Sequence, residues 1–223
     1  SFTEKTGIHV KVVAVGSGQA LQMGRTGEAD VLLVHAKADE EKFVSDGYGL
    51  ERFDVMYNDF VLLGFEPPLL EDTENIIQAL QSIADRQLLF ISRGDDSGTH
   101  KMELKLWEES ERVPQGSWYL SAGRGMGDVI QMANEKRAYT LSDRGTYLSM
   151  KDKCELQVLV ENSDMLRNPY GVIAVNFQES QQQKTADAKA FIQWLLSKET
   201  QAAIGQFGVD QYGEALFIPN AKE

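Results

Sequence analysis

The residues of this chain best suited to chemistry lie in one run, Ser92-Arg93-Gly94-Asp95-Asp96-Ser97-Gly98-Thr99-His100. It follows an apolar stretch, Leu88-Leu89-Phe90-Ile91, and precedes an amphipathic stretch that starts near Lys101. The run therefore reads as a strand, a polar turn and a helix N-terminus. The first turn of a helix presents backbone N–H groups that have no intrahelical acceptor. Arg93 can fork two donors onto one oxyanion, Ser97 and Thr99 add hydroxyls, and Gly98 exposes its backbone, so the run suits capture of an anion. Asp95 and Asp96 would repel that anion if they faced it. They are expected to be structural, one capping the helix and the other holding Arg93.

Two further junctions share the design of glycine, donor and following helix: Gly16-Ser17-Gly18 and Gly123-Arg124-Gly125-Met126-Gly127. Gly16, Ser17, Arg124 and Gly125 are thus candidate contacts beside Arg93, Ser97, Gly98 and Thr99. Gly-Ser-Gly after a strand also describes an ordinary helix cap. The glycines at 123–127 spell part of a dinucleotide fingerprint, but no βαβ unit with a suitably placed acid surrounds them. A serine hydrolase using Ser97 and His100 is the competing reading from a different class. Asp95, Ser97 and His100 have the residue types of a triad, yet they crowd into one turn, whereas triads assemble from separated segments. The Gly-x-Ser-x-Gly elbow is absent.

The elements that must position these junctions follow from hydrophobic periodicity. Extended runs are expected at 8–15, 30–34, 56–65, 88–91, 138–141, 156–160 and 170–175. Helices are expected at 19–25, 38–46, 73–85, from 101, at 128–136, from 142 and at 187–207, with Pro67-Pro68 marking a connection. Ile76, Ile77, Leu80 and Ile83 form one apolar stripe, and Met102, Leu106 and Trp107 another. Alternation of strand and helix predicts an α/β fold with a parallel sheet and crossover helices. Residues 1–6 read as the end of a helix capped by Gly7, so an upstream strand and most of a helix are expected to precede Ser1.

Composition narrows the partners. Hydrophobic residues make up 42% of the 223 and charged residues 25%, the balance of a globular protein. Nothing approaches the apolar run of about 18 residues that a membrane span needs. The net charge of −12 argues against nucleic acid, whose phosphates require a basic surface. It does not oppose a local anion site, because surface charges are screened beyond about 8 Å at physiological salt. A single cysteine, Cys154, excludes an intramolecular disulfide, and the three histidines fall at no metal-ligand spacing.

The order and spacing of several segments resemble the tungstate-binding proteins of bacterial ABC importers. They are Val13-Ala14-Val15-Gly16-Ser17-Gly18-Gln19-Ala20-Leu21, Asp30-Val31-Leu32-Leu33-Val34-His35-Ala36, Met56-Tyr57-Asn58-Asp59-Phe60, the 92–100 run, Tyr139-Thr140-Leu141-Ser142-Asp143-Arg144-Gly145-Thr146-Tyr147 and Asn168-Pro169-Tyr170-Gly171-Val172. The resemblance implies a type II periplasmic binding protein fold, two α/β lobes joined by two crossing strands. Lobe I would be 1–61 plus 172–223, and lobe II 62–171. It implies a protein with no catalytic activity and no cofactor, a monomer that closes around tungstate and hands it to membrane permease subunits. Molybdate, or another oxyanion such as phosphate or sulfate, is the alternative ligand. Arg93, Thr99, Ser97 and Gly98 would serve from lobe II and Ser17 from lobe I. The family's Thr/Ser-rich turn after its first strand would lie upstream of Ser1. Such proteins work in the periplasm or anchored on the outer face of the cytoplasmic membrane, and are made with a signal segment.

Overall fold

The computed structural model describes residues 1–65, 75–177 and 182–222. The connection at Pro67-Pro68 and the expected helix start at Thr73 lie outside them. The chain folds as two compact units, Ser1–Tyr57 with Asn168–Glu223, and Asn58–Arg167. It therefore passes between units twice.

Unit 1 begins with α1 (Phe2–Thr6), α2 (Ser17–Thr26), β1 (Val31–Val34) and α3 (Lys37–Ser45), and then enters β2 (Gly49–Gly64), a strand that runs on into unit 2. Unit 2 holds α4 (Ile76–Asp85), β3 (Phe90–Ser92), α5 (Gly98–Glu109), β4 (Tyr119–Ser121), α6 (Met126–Lys136), β5 (Thr140–Asp143), α7 (Arg144–Met150) and β6 (Gln157–Val160). The chain returns through β7 (Arg167–Val175) and ends with α8 (Gln182–Leu196), α9 (Lys198–Ile204), α10 (Val209–Tyr212) and β8 (Ile218–Pro219).

In unit 1, β7 lies between β1 and β2 and is covered on both faces. Val172 and Ala174 pack with Val55, Ile192 and Leu195, while Ile173 and Val175 pack with Leu21, Leu32 and Phe43. A strand buried on both sides reads as an unbroken apolar run, which is how 172–175 is spelled. In unit 2, Ile76, Ala79, Leu80 and Ile83 of α4 present one helical face to a core that includes Phe90, Leu106, Trp107 and Trp118.

Three expectations are corrected. Residues 8–15 form no strand: Val12 is 83% exposed and Val13 51%, and among the described residues no strand pairs with them. Alternation supplies a face for a strand, but the ladder needs a neighbour. The sheet is also not parallel throughout. β1 runs antiparallel to β7, and β2 runs antiparallel to β5, β6 and β8. Among the described residues the parallel contacts are β3 with β4 and the Phe90–Tyr139 bridge. Strand and helix alternate locally, yet β1 pairs with a strand from the far end of the chain, which alternation cannot reveal. Finally, the helix expected over 187–207 is two helices, because the Ser197 hydroxyl accepts the Thr200 N–H at 3.3 Å and starts α9 afresh.

Candidate functional site

β3 and β4 pair in parallel with Ser92 opposite Ser121, so their carboxyl ends emerge side by side. The two chains stay in register for a short way beyond: Ala122 N–H donates to Ser92 O at 2.9 Å, and Arg124 N–H to Arg93 O at 3.3 Å. Each then turns into a helix, α5 or α6. Gly94 sits at the closest approach, with φ +63°, and a Cβ there would collide with the Ser121 side chain. The pairing thus brings Arg93, Ser97, Gly98, Thr99, Arg124 and Gly125 to one end of unit 2.

Within the 92–100 turn Asp95 holds Arg93 as expected, but neither aspartate caps α5, a task that falls to Ser97. Asp95 Oδ2 takes Arg93 Nε at 2.9 Å and Nη2 at 2.9 Å, and Oδ1 accepts the Ser97 N–H at 3.2 Å. Burial pushes the Asp95 carboxyl up, but hydrogen bonds from Ser97 and Arg93 outweigh it and hold it below the ordinary aspartate range. Asp96 instead stands exposed at φ +58°, and its N–H donates to His100 Nδ1 at 3.0 Å. Ser97 is the N-cap of α5: its hydroxyl accepts the His100 N–H at 3.3 Å and its carbonyl the Lys101 N–H at 2.9 Å. That leaves the N–H groups of Gly98 and Thr99 as first-turn donors engaged by no described residue. The Thr99 side chain is buried, Gly98 is exposed, and Arg93 keeps 22% of its side-chain surface.

The second turn is looser. Gly125 is the N-cap of α6 and provides no side-chain cap, and Arg124 is exposed. In unit 1, Gly16 is the N-cap of α2, again without a side-chain cap. Ser17, the first residue of α2, is half-buried and its hydroxyl accepts the His35 N–H at 3.4 Å, which places it by the carboxyl end of β1. A hydrolytic triad is not assembled: His100 Nδ1 is engaged by the Asp96 N–H, and Asp95 by Arg93 and Ser97.

Two charged clusters of unit 2 went unread in the sequence. In the first, Glu103 is 2% exposed and its Oε1 accepts from Tyr119 Oη at 2.6 Å and Trp107 Nε1 at 3.3 Å. Burial raises the Glu103 carboxyl above its ordinary range despite those bonds, and burial together with the Glu103 charge raises the Tyr119 phenol. The signal was an acid on the same helical stripe as Leu106 and Trp107. In the second, Arg144 binds both oxygens of Asp59, at 2.8 and 2.6 Å, and Glu161 at 2.6 Å. Asp59, directly before the apolar Phe60-Val61-Leu62-Leu63 of β2, was its trace.

Residues 1–199 match the family model described as PBP superfamily domain. Over 224 aligned residues the chain is 57% identical to the tungstate-binding protein TupA of Peptoclostridium acidaminophilum, covering 99% of this chain and 78% of that one. The chain belongs to the tungstate-binding family of the PBP superfamily. A solved structure of the family, the tungstate-binding protein TupA from Desulfovibrio alaskensis G20, superposes with a TM-score of 0.92 at 43% identity, covering 99% of this chain and 90% of that one. The tungstate ABC transporter structure from Geobacter sulfurreducens gives a TM-score of 0.74 at 45% identity, covering 92% and 89%. The fold is accordingly of the type II periplasmic binding protein class, and the family resemblance read from the sequence holds along the whole chain.

Proposed function

We propose that the protein captures tungstate, a tetrahedral oxyanion, and presents it to the permease subunits of an ABC importer outside the cytoplasmic membrane, acting as a monomer without enzymatic activity or cofactor. The observation that carries this reading is the pairing of two open N–H donors, at Gly98 and Thr99, with an arginine whose direction Asp95 fixes. Backbone donors at a helix start together with a guanidinium form a site for a ligand that only accepts hydrogen bonds. Thr99 and Ser97 add hydroxyls. Arg124 and Gly125 stand on the adjoining turn, and Gly16 and Ser17 are the donors offered by unit 1.

The same inventory opposes phosphate. Near neutral pH phosphate retains a proton that needs an acceptor, whereas tungstate is fully deprotonated. The nearest carboxylate, Asp95, has both oxygens committed to Arg93 and Ser97. A protonated anion would have to pair its O–H by turning a hydroxyl from donor to acceptor, giving up a bond of about 1 kcal/mol or more. The family relationship favours tungstate over molybdate, which has the same shape and charge.

Equilibrium dialysis against tungstate, with the bound metal counted, tests the reading. One tungstate per chain, bound markedly more weakly by Arg93→Ala, is expected; no retained tungstate in the wild type would overturn it.

A further inference from the structure

Glu103 has no place in the donor set, yet it is a carboxylate buried as deeply as the core around it. A buried acid offers little stability over an apolar side chain of similar volume, so its packing alone does not account for it. Its position does. Glu103 lies one helical turn beyond Thr99 on α5, about 6 Å along the axis. Tyr119, its partner at 2.6 Å, lies two residues before Ser121 on β4. Ser92, the last residue of β3, has a fully buried hydroxyl that faces both groups but lacks hydrogen-bonding geometry to either. One carboxylate thereby links the helix that follows the first turn to the strand that leads into the second.

We propose that Glu103 is a positioning residue for oxyanion capture: through Tyr119 it ties α5 to β4 and so sets the spacing between the Arg93–Thr99 turn and the Arg124–Gly125 turn. The inference rests on the proposed tungstate site. Donors converge on a tetrahedral anion only if they are held to within a fraction of an ångström, which is the work of supporting bonds of this kind. The charge of Glu103 is not required for it. A neutral amide would accept from the Tyr119 hydroxyl equally well and could donate to the Ser92 hydroxyl.

The test is tungstate titration and thermal melting of four proteins: wild type, Glu103→Gln, Tyr119→Phe and the double variant Glu103→Leu/Tyr119→Phe. The double variant removes Glu103 and the Tyr119 hydroxyl together and leaves only the Trp107 N–H without its acceptor, so it should melt modestly below wild type yet fold, and bind tungstate about tenfold more weakly. Tyr119→Phe should weaken binding similarly, and Glu103→Gln should recover most of the loss. If the double variant does not fold, Tyr119→Phe alone decides. Wild-type affinity in Tyr119→Phe or in the double variant would overturn the inference, as would Glu103→Gln binding as weakly as the double variant. Failure of the wild type to bind tungstate would instead refute the proposed function.

Discussion

Asp95 grips Arg93 through one oxygen, with Nε and Nη2 both 2.9 Å from Oδ2, while its other oxygen holds the Ser97 N–H. The guanidinium keeps donors that Asp95 does not use, and Asp95 fixes their direction only while it stays ionised.

Arg93→Ala should weaken tungstate binding by about 2–3 kcal/mol, because it deletes charge-assisted bonds to a dianion. Its melting temperature should stay near that of wild type, since the side chain is partly exposed and lies outside the core. Calorimetric titration alongside a thermal melt measures both.

Asp95→Ala should cost about 1 kcal/mol of stability at neutral pH through loss of its bond to the turn and of a half-exposed ion pair. The folded carboxyl lies below the ordinary value of 3.8, so its contribution is complete above that value and lost as pH falls through the folded pKa. Urea unfolding of the two proteins should therefore converge in acid below 3.8.

Gly94→Ala and Gly123→Ala place a methyl group at similar backbone angles, φ +63° and +61°, but only the first meets Ser121; the second enters open space. Gly123→Ala should cost about 1 kcal/mol from the left-handed conformation, and Gly94→Ala about 3 kcal/mol because the junction must also shift. Comparative melting curves check the difference.

Asp59→Ala removes the two-oxygen partner of Arg144, where each side chain is only 13% exposed. Glu161 remains at 2.6 Å, so the expected loss is about 3 kcal/mol, the lower end for breaking a buried pair. Chemical unfolding reads it directly.

Burial holds the Glu103 carboxyl above its ordinary 4.5, so folding favours the protonated form. The stability this contributes is complete below 4.5 and is lost as pH rises through the folded pKa. Glu103→Gln has no such proton, and its stability relative to wild type should therefore increase as pH rises from about 4 to 8 in urea unfolding.

The sequence made the 92–100 turn legible because its chemistry is local: strand, left-handed turn, cap and helix start follow within nine residues. The α4 stripe and the doubly buried β7 run were legible for the same reason, since each is set by the spacing of apolar residues in one segment. What stayed hidden depends on distant partners. The antiparallel pairing of β1 with β7 and the bonds from Tyr119 to Glu103 and from Arg144 to Asp59 join residues far apart in the chain. Asp95 illustrates the boundary well. Its structural role is spelled in the turn, but its service to both Arg93 and Ser97 arises only from how the turn folds.

The central claim, that this turn takes a fully deprotonated tetrahedral oxyanion, is tested most directly by isothermal titration of the protein at neutral pH with tungstate, molybdate, sulfate and phosphate in turn. The account predicts saturable one-site binding of tungstate, with phosphate bound at least about tenfold more weakly. Tight phosphate binding with no tungstate heat would contradict it.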